Sequence, residues 1–170
     1  TGTTSQLRDI GHEISNVVFE LVTGTRGAFT TQILYIVSEF VSPEVSYFRL
    51  EKADYDGRRA QVLLESREPI MSPSWSPNGQ DIAYVSFETD LPRIYTQNIA
   101  TGQRRQITNF PNINSSQVWS PDGTKLARVL SKDGSPDIYV QDLLSNELIR
   151  ITDHPAIDTE PAWSRDGRSL

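Results

Sequence analysis

Two histidines and a closely spaced pair of aspartates are the first residues in this 170-residue chain that could hold a metal ion or move a proton. The aspartates, in "DYDG" from Asp54, open like a calcium loop of the form D-x-D-x-D-G. They lack the third acid and the glutamate that complete such a coordination sphere, so a hairpin turn is the better reading. His12, in "GHEIS", has no second histidine at the spacing of a helical zinc site and is expected on the solvated side of a helix. His154, in "TDHPAID", has no neighbouring His or Cys with which to share an ion, which leaves exposure or contact with a partner. The chain has no cysteine, which excludes disulfides and thiolate zinc sites. It also has no G-x-S-x-G nucleophile elbow, no P-loop and no glycine-rich dinucleotide fingerprint. Its acids are scattered through turns rather than paired. These residues do not add up to an enzyme, and no cofactor or metal is expected.

Composition narrows the remaining classes. A hydrophobic content of 36% with 22% charged residues fits a globular domain. The net charge of −6 argues against nucleic acid as the main partner, because phosphate binding needs concentrated Lys and Arg. The longest apolar run, Ile33 to Val37, is far too short to span a membrane. The chain starts at "TGTTSQ" without Met or a signal peptide, so removal of an upstream segment is expected.

The residues with a regular spacing are structural. Trp75, Trp119 and Trp163 recur every 44 residues, as do Tyr95 and Tyr139, and Ile107 and Ile151 with the threonine after each. A period of this size signals stacked units such as four-stranded propeller blades. Each unit reads as four short strands: a brief "SWS", an apolar run ("DIAYVSF", "KLARVLS"), an alternating run ("RIYTQNI", "DIYVQDL") and a polar outer strand ("RRQIT", "LIRIT"). Between the first two strands, "SPNG" or "SPDG" makes a tight turn: Pro sets φ, Asn or Asp tolerates the next position, and Gly takes the left-handed one. The tryptophans, each able to bury roughly 150–250 Å², are read as wedges between blades rather than as ligand-stacking groups.

A fainter copy precedes the first tryptophan. "ILYIVSE" echoes "IAYVSFE", and "GAFTT" stands where the first strand should be. That blade is expected to be open, its missing strand coming from beyond Leu170, which makes the chain a fragment. Ahead of it, Leu7, Ile10, Ile14, Val17, Val18 and Leu21 form one apolar stripe of a helix. Thr3, Thr4 or Ser5 can cap its start and Gly24 its end. The stripe is expected to pack on a small α/β domain lying upstream. The expected organisation is residues 1–26 as the last helix of that domain plus a hinge at "TRGAF", and residues 27–170 as an incomplete propeller with one open blade, two full blades and the start of another. The fold class is mainly β.

In such blades the loops after strands two and four share one face, and these vary far more than the "SPDG" turns. Variable loops on a rigid scaffold are where binding usually resides. Met71, Ile113 and Ile157 are apolar groups in these otherwise polar loops, which favours a protein-facing surface. A second possibility is a small ligand or cation in the channel, held by Ser74, Ser76, Ser116 and Ser120, unless these serines only satisfy turns.

The repeat "P-x-W-S-P-D-G-x-x-I-A-Y", with "I-Y" and "I-T" following, resembles the TolB-type propeller repeat, which prolyl-oligopeptidase-like peptidases share. The segments "ELVTGTRGAFTTQILYIV", "ADYDG" and "PIMSPSWSP" are similar to the TolB family itself, from about Ser5 to Leu170. That resemblance implies a periplasmic scaffold of the Tol-Pal cell-envelope system that supports outer-membrane integrity and cell division. It implies docking of the peptidoglycan-associated lipoprotein at the loop-rich mouth of the channel, and binding of TolA through an N-terminal segment absent here. In the family's F-P-x-H-N-G-x-P loop this chain reads "FPNINSSQ": Phe110, Pro111 and Asn114 match, Ile113 replaces the His, and Ser115, Ser116 and Gln117 replace the rest. Thr159 and Glu160 match the N-T-E-P loop. The partner-binding set is therefore expected to be Met71, Ile113, Asn114, Ser115, Ser116, Thr159 and Glu160. The alternative is a propeller that gates a serine peptidase, which would need a G-x-S-x-G segment downstream.

Overall fold

The computed structural model describes residues 3–42 and 45–170. A single helix, α1 (Thr4–Thr23), precedes three antiparallel sheets whose spatial order follows the chain. Blade one holds β1 (Gln32–Ser42), β2 (Val45–Asp54) and β3 (Gln61–Ser66). Blade two holds β4 (Ile70–Trp75), β5 (Asp81–Ser86), β6 (Arg93–Asn98) and β7 (Arg104–Gln106), and blade three holds β8 (Asn114–Trp119), β9 (Lys125–Leu130), β10 (Asp137–Asp142) and β11 (Leu148–Arg150). The mainly β, propeller-type fold read from the repeat is the fold observed. Residues 28–31 form a turn rather than a strand, so blade one has three strands.

The serine of each "SPDG" turn explains why the motif recurs. Ser120 donates to Asp122 Oδ1 at 2.6 Å and accepts from the Lys125 amide at 2.9 Å, while Asp122 Oδ1 accepts from the Thr124 amide at 3.0 Å. Ser76 with Asn78, and Ser164 with Asp166, repeat this pattern. Gly123 and Gly167 sit at φ +72° and +69°, and a Cβ on either would lie against Pro77 or Pro121 of the preceding turn. The turns of successive blades thus stack along one face. Ser76 and Ser120, expected either to line a channel or to satisfy turns, do the second.

Hydrogen bonds from the Ser120 hydroxyl, then the Thr124 amide and hydroxyl, hold the Asp122 carboxyl down at about 2. Because the folded value lies below the ordinary one, the stability it brings is present above about pH 4 and is lost as pH falls toward 2. Asp122→Asn keeps the acceptor, as Asn78 does in blade two, so its melting temperature is expected to fall less between pH 4 and 2 than that of the parent. Parallel melting curves over that range check this.

Each tryptophan faces the preceding blade. Trp75 packs on a cluster built from Leu50 of blade one and Ile70, Ile82, Tyr84 and Tyr95 of blade two. Trp119 packs on Ala83, Val85 and Ile94 of blade two and Leu126 of blade three. Alternate residues of β5 therefore enter different seams, and the strand is buried on both faces. The wedge role holds. At the outer edge, the Thr108 hydroxyl accepts from the Ile94 amide at 2.8 Å, and Thr152 accepts from Ile138 at 2.9 Å. This is why a threonine follows each repeat isoleucine. Thr108→Val leaves the Ile94 N–H unsatisfied at a buried site and is expected to cost about 1–3 kcal/mol in urea unfolding, whereas Thr108→Ser recovers most of it.

The helix starts at a Thr3 capping box and ends at Gly24 in the left-handed region. Its apolar stripe, Leu7, Ile10, Ile14, Val17, Val18 and Leu21, is exposed. Its other side docks on blade one. Arg8 pairs with Asp54 at 3.1 Å and with Asp56, and Arg59 pairs with Asp54 at 2.8 Å and Asp9 at 2.7 Å. Asp54 is held below the usual carboxylate range by Arg59 and then Arg8. The "DYDG" acids thus serve ion pairs in a turn. His12, expected in solvent, is instead half-buried and meets Tyr55 edge-on at 5.2 Å; the reason is that the helix turns its polar side, not its stripe, toward the sheet. The segment expected as a hinge is also held: buried Asn16 accepts from the Phe29 amide at 3.0 Å and donates to Thr30 at 2.9 Å, and a Cβ on Gly27 would come within 2.7 Å of Asn16 Oδ1.

Candidate docking mouth

The innermost strands differ from the sequence reading in one respect that shapes the site. They are six residues long rather than the brief "SWS", and each carries a bulge, at Met71/Ser74 in β4 and Ser115/Val118 in β8. The bulge residues Ser72 and Ser116 have φ of 50°, and Glu160, one repeat further, has φ of 57°. Non-glycine residues in this region are strained and persist where their surroundings hold them. Three such positions spaced 44 residues apart make the positive φ a property of the repeat. A bulge hides a strand by breaking its period-two alternation.

The bulges are tied to one another. Ser116 Oγ donates to Glu160 Oε1 at 3.0 Å, and Gln117 Nε2 donates to the Ser72 carbonyl. Met71, Ser115 and Thr159 occupy one repeat position, Ser72, Ser116 and Glu160 the next, and Ile113 and Ile157 another. The expected partner-binding residues therefore lie along a row that crosses three successive repeats. Met71, Ile113, Thr159 and Glu160 are exposed along it, with Ile157, and Ser115 and Ser116 are half-buried. A cleft of about 410 Å³ beside Thr159 and Glu160 is walled by Ile138, Ile151 and Ile157.

Asn114 does not join this surface. It is 0% exposed, and its amide donates to the Phe110 carbonyl at 2.9 Å and the Asn112 carbonyl at 3.1 Å. Its role is to hold the 110–114 loop, which corrects the expectation that it contacts a partner directly. Arg93 donates to the same Phe110 carbonyl, and Ser131 Oγ accepts from the Ile113 amide at 3.0 Å. Asp158 donates its amide to Pro136 O at 2.9 Å, which pins the loop bearing Thr159. The mouth is a braced surface. Ser72 was missed in the sequence because nothing in "IMSPSW" marks a bulge, although its repeat position, shared with Ser116 and Glu160, could have found it.

His154 is exposed and hydrogen-bonded locally. Its Nδ1 accepts from the Ala156 amide at 3.1 Å, and its carbonyl accepts from Ser135 Oγ at 2.9 Å. No group of metal-ligating side chains occurs among the described residues, and none of their helices is long and apolar enough to cross a membrane. A second cleft, about 530 Å³, is lined by Trp163, Val140 and Ile149 and shares Ile151 with the first.

Residues 19–170 match the family model described as the TolB beta propeller domain. The Tol-Pal system protein TolB of Pseudomonas fluorescens is 54% identical over 116 residues, covering 68% of this chain and 27% of that relative. The chain thus spans about a quarter of the length of the curated relatives it matches. The crystal structure of TolB from Acinetobacter baumannii superposes with a TM-score of 0.90 at 38% identity, covering 99% of this chain and 42% of that one. A puromycin hydrolase superposes with a TM-score of 0.57 at 19% identity, over 72% of this chain and 20% of its own, which is a likeness of fold alone. With its repeat, its stacked blades and its match to the family model, this chain belongs to the TolB beta-propeller family.

Proposed function

We propose that this chain is part of a non-enzymatic periplasmic scaffold of the Tol-Pal system, and that its mouth row docks the peptidoglycan-associated lipoprotein. The observation that carries the reading is the braced row itself. Exposed apolar and polar groups at Met71, Ile113, Thr159 and Glu160 stand at or beside the strained positions Ser72, Ser116 and Glu160, which are hydrogen-bonded from repeat to repeat. A surface held rigid before binding loses little entropy on docking, and apolar groups within a polar rim suit a protein partner. The relatives' names supply the system. In this reading residues 1–26 close a small α/β domain, whose remainder covers the exposed stripe of α1, and residues 27–170 belong to the propeller. TolA would be engaged by a segment outside this chain, and the assembly would serve outer-membrane integrity and cell division.

The peptidase-gating alternative has less behind it, since the hydrolase neighbours share only the fold. Titration calorimetry of the full-length protein with the soluble domain of the lipoprotein from the same cell tests the proposal. One-to-one binding is expected. An absence of binding under conditions where both proteins are folded would remove the docking role.

A further inference from the structure

The seam between blades one and two is electrostatically closed. Tyr84 stacks with Tyr95 at 6.0 Å, and the Arg104 guanidinium lies 4.6 Å from the Tyr95 ring centre. Arg104 donates to the Tyr84 hydroxyl at 2.6 Å and pairs with Glu88 at 2.8 Å. One repeat later the same positions read differently. Tyr84 becomes Arg128, Glu88 becomes Lys132 and Arg104 becomes Leu148, while Tyr95 is kept as Tyr139. The acid has shifted by one residue, to Asp133, and a cation has moved to the middle of the blade.

Arg128 lies directly across from Tyr139, and it follows by two residues Leu126, which packs on blade two. Its side chain therefore enters the seam between blades two and three. It is 1% exposed, and its Nε and Nη1 have no hydrogen-bond partner among the described residues. Burial lowers its pKa to about 10, so it stays charged at neutral pH. Lys132 Nζ lies 5.0 Å from the Tyr139 ring centre and 5.8 Å from that of Phe110. Its acid partner is Asp133, at 2.5 Å, which also accepts from the Tyr139 hydroxyl at 2.8 Å. Gln141 stands where Gln97 accepts from Tyr84 at 3.0 Å in blade two, and its Oε1 is buried without a partner. A buried guanidinium with no counter-ion is costly, and arginine is the side chain suited to recognising a carboxylate.

We propose that the seam between blades two and three is a carboxylate-binding site, with Arg128 as the buried cation, Lys132 as the cation on the mouth side, and Phe110 and Tyr139 as its walls. The site does not depend on the docking reading: the mouth row can fail to bind the lipoprotein while the seam still takes its anion.

The test is the melting temperature of the full-length protein in sodium acetate against sodium chloride at equal ionic strength. At ten times its dissociation constant, acetate is expected to raise the melting temperature by about 2–4 °C. Arg128→Tyr is expected to abolish the difference. The triple variant Arg128→Tyr, Lys132→Glu, Leu148→Arg rebuilds the blade-two network, so it should fold with no acetate effect even if the single variant does not fold. Identical wild-type melting in the two salts, or an acetate effect retained in the triple variant, would overturn the proposal. Repeating the titration with N-acetylglutamate α-amide separates the sources. Binding equal to acetate or tighter assigns the site to an acidic side chain of another protein, and binding of acetate alone assigns it to a free small carboxylate.

Discussion

Replacing Trp119 by alanine will cost about 3–5 kcal/mol of stability, whereas Trp119→Phe will cost much less. Trp119 fills the seam between blades two and three against Ala83, Val85, Ile94 and Leu126. Alanine removes the whole wedge and leaves a space that the two sheets cannot close, because each is fixed by its own ladder and by the stacked "SPDG" turns. Phenylalanine keeps most of the apolar surface. It also loses no hydrogen bond, since the Trp119 Nε1 is enclosed without a partner among the described residues. Urea denaturation of both variants measures the difference. Equal losses would mean that the indole nitrogen matters through a bond the structure does not contain. A negligible loss for the alanine variant would mean that Trp119 is not a wedge, and would reopen the reading of these tryptophans as ligand-stacking groups.

A second large effect is expected at the mouth. Under the proposed docking role, Thr159→Arg should weaken binding of the lipoprotein by roughly tenfold or more, because a bulky charge within the proposed contact must be desolvated without a partner. Thr159 is exposed and lies beside the cleft walled by Ile138, Ile151 and Ile157, so the fold should be unaffected. Asn114→Ala should behave in the opposite way. Asn114 is buried and holds two carbonyls of its loop, so the variant should lose stability as well as affinity. Calorimetric titration paired with a melting curve for each variant separates the two cases. Unchanged affinity in Thr159→Arg would take that residue out of the contact. Unchanged melting in Asn114→Ala would contradict its structural role.

Seen together, the repeats show how one scaffold acquires local differences. The turn serines, the outer threonines and the wedge tryptophans keep their partners from blade to blade, so they vary little. Other positions in the seams differ from repeat to repeat. Tyr84 and Arg128 occupy the same repeat position, one inside a satisfied network and the other with Nε and Nη1 unpartnered among the described residues.

The sequence by itself determined the blades. A strand's side chains alternate with period two, and a turn needs Pro, Asn or Asp, and Gly at set positions. Both are local requirements, so "SPDG" and "DIYVQDL" declare themselves without their neighbours, and the 44-residue spacing of Trp75, Trp119 and Trp163 is enough to stack them. Only the tertiary structure decided what depends on a second element. The bulges at Ser72 and Ser116, and the strained backbone at Glu160, are tied to adjacent repeats by hydrogen bonds. Helix α1 shows an amphipathic pattern, but a pattern does not say which side meets which neighbour, and here the ion pairs of Arg8 and Asp9 turn the polar side inward. Asn114 reads as a polar loop residue and is buried, while Arg128, within an apolar run, is a buried cation without a hydrogen-bond partner at Nε and Nη1 among the described residues. Depth and partnership are set by chain segments far away in sequence, and no local pattern records them.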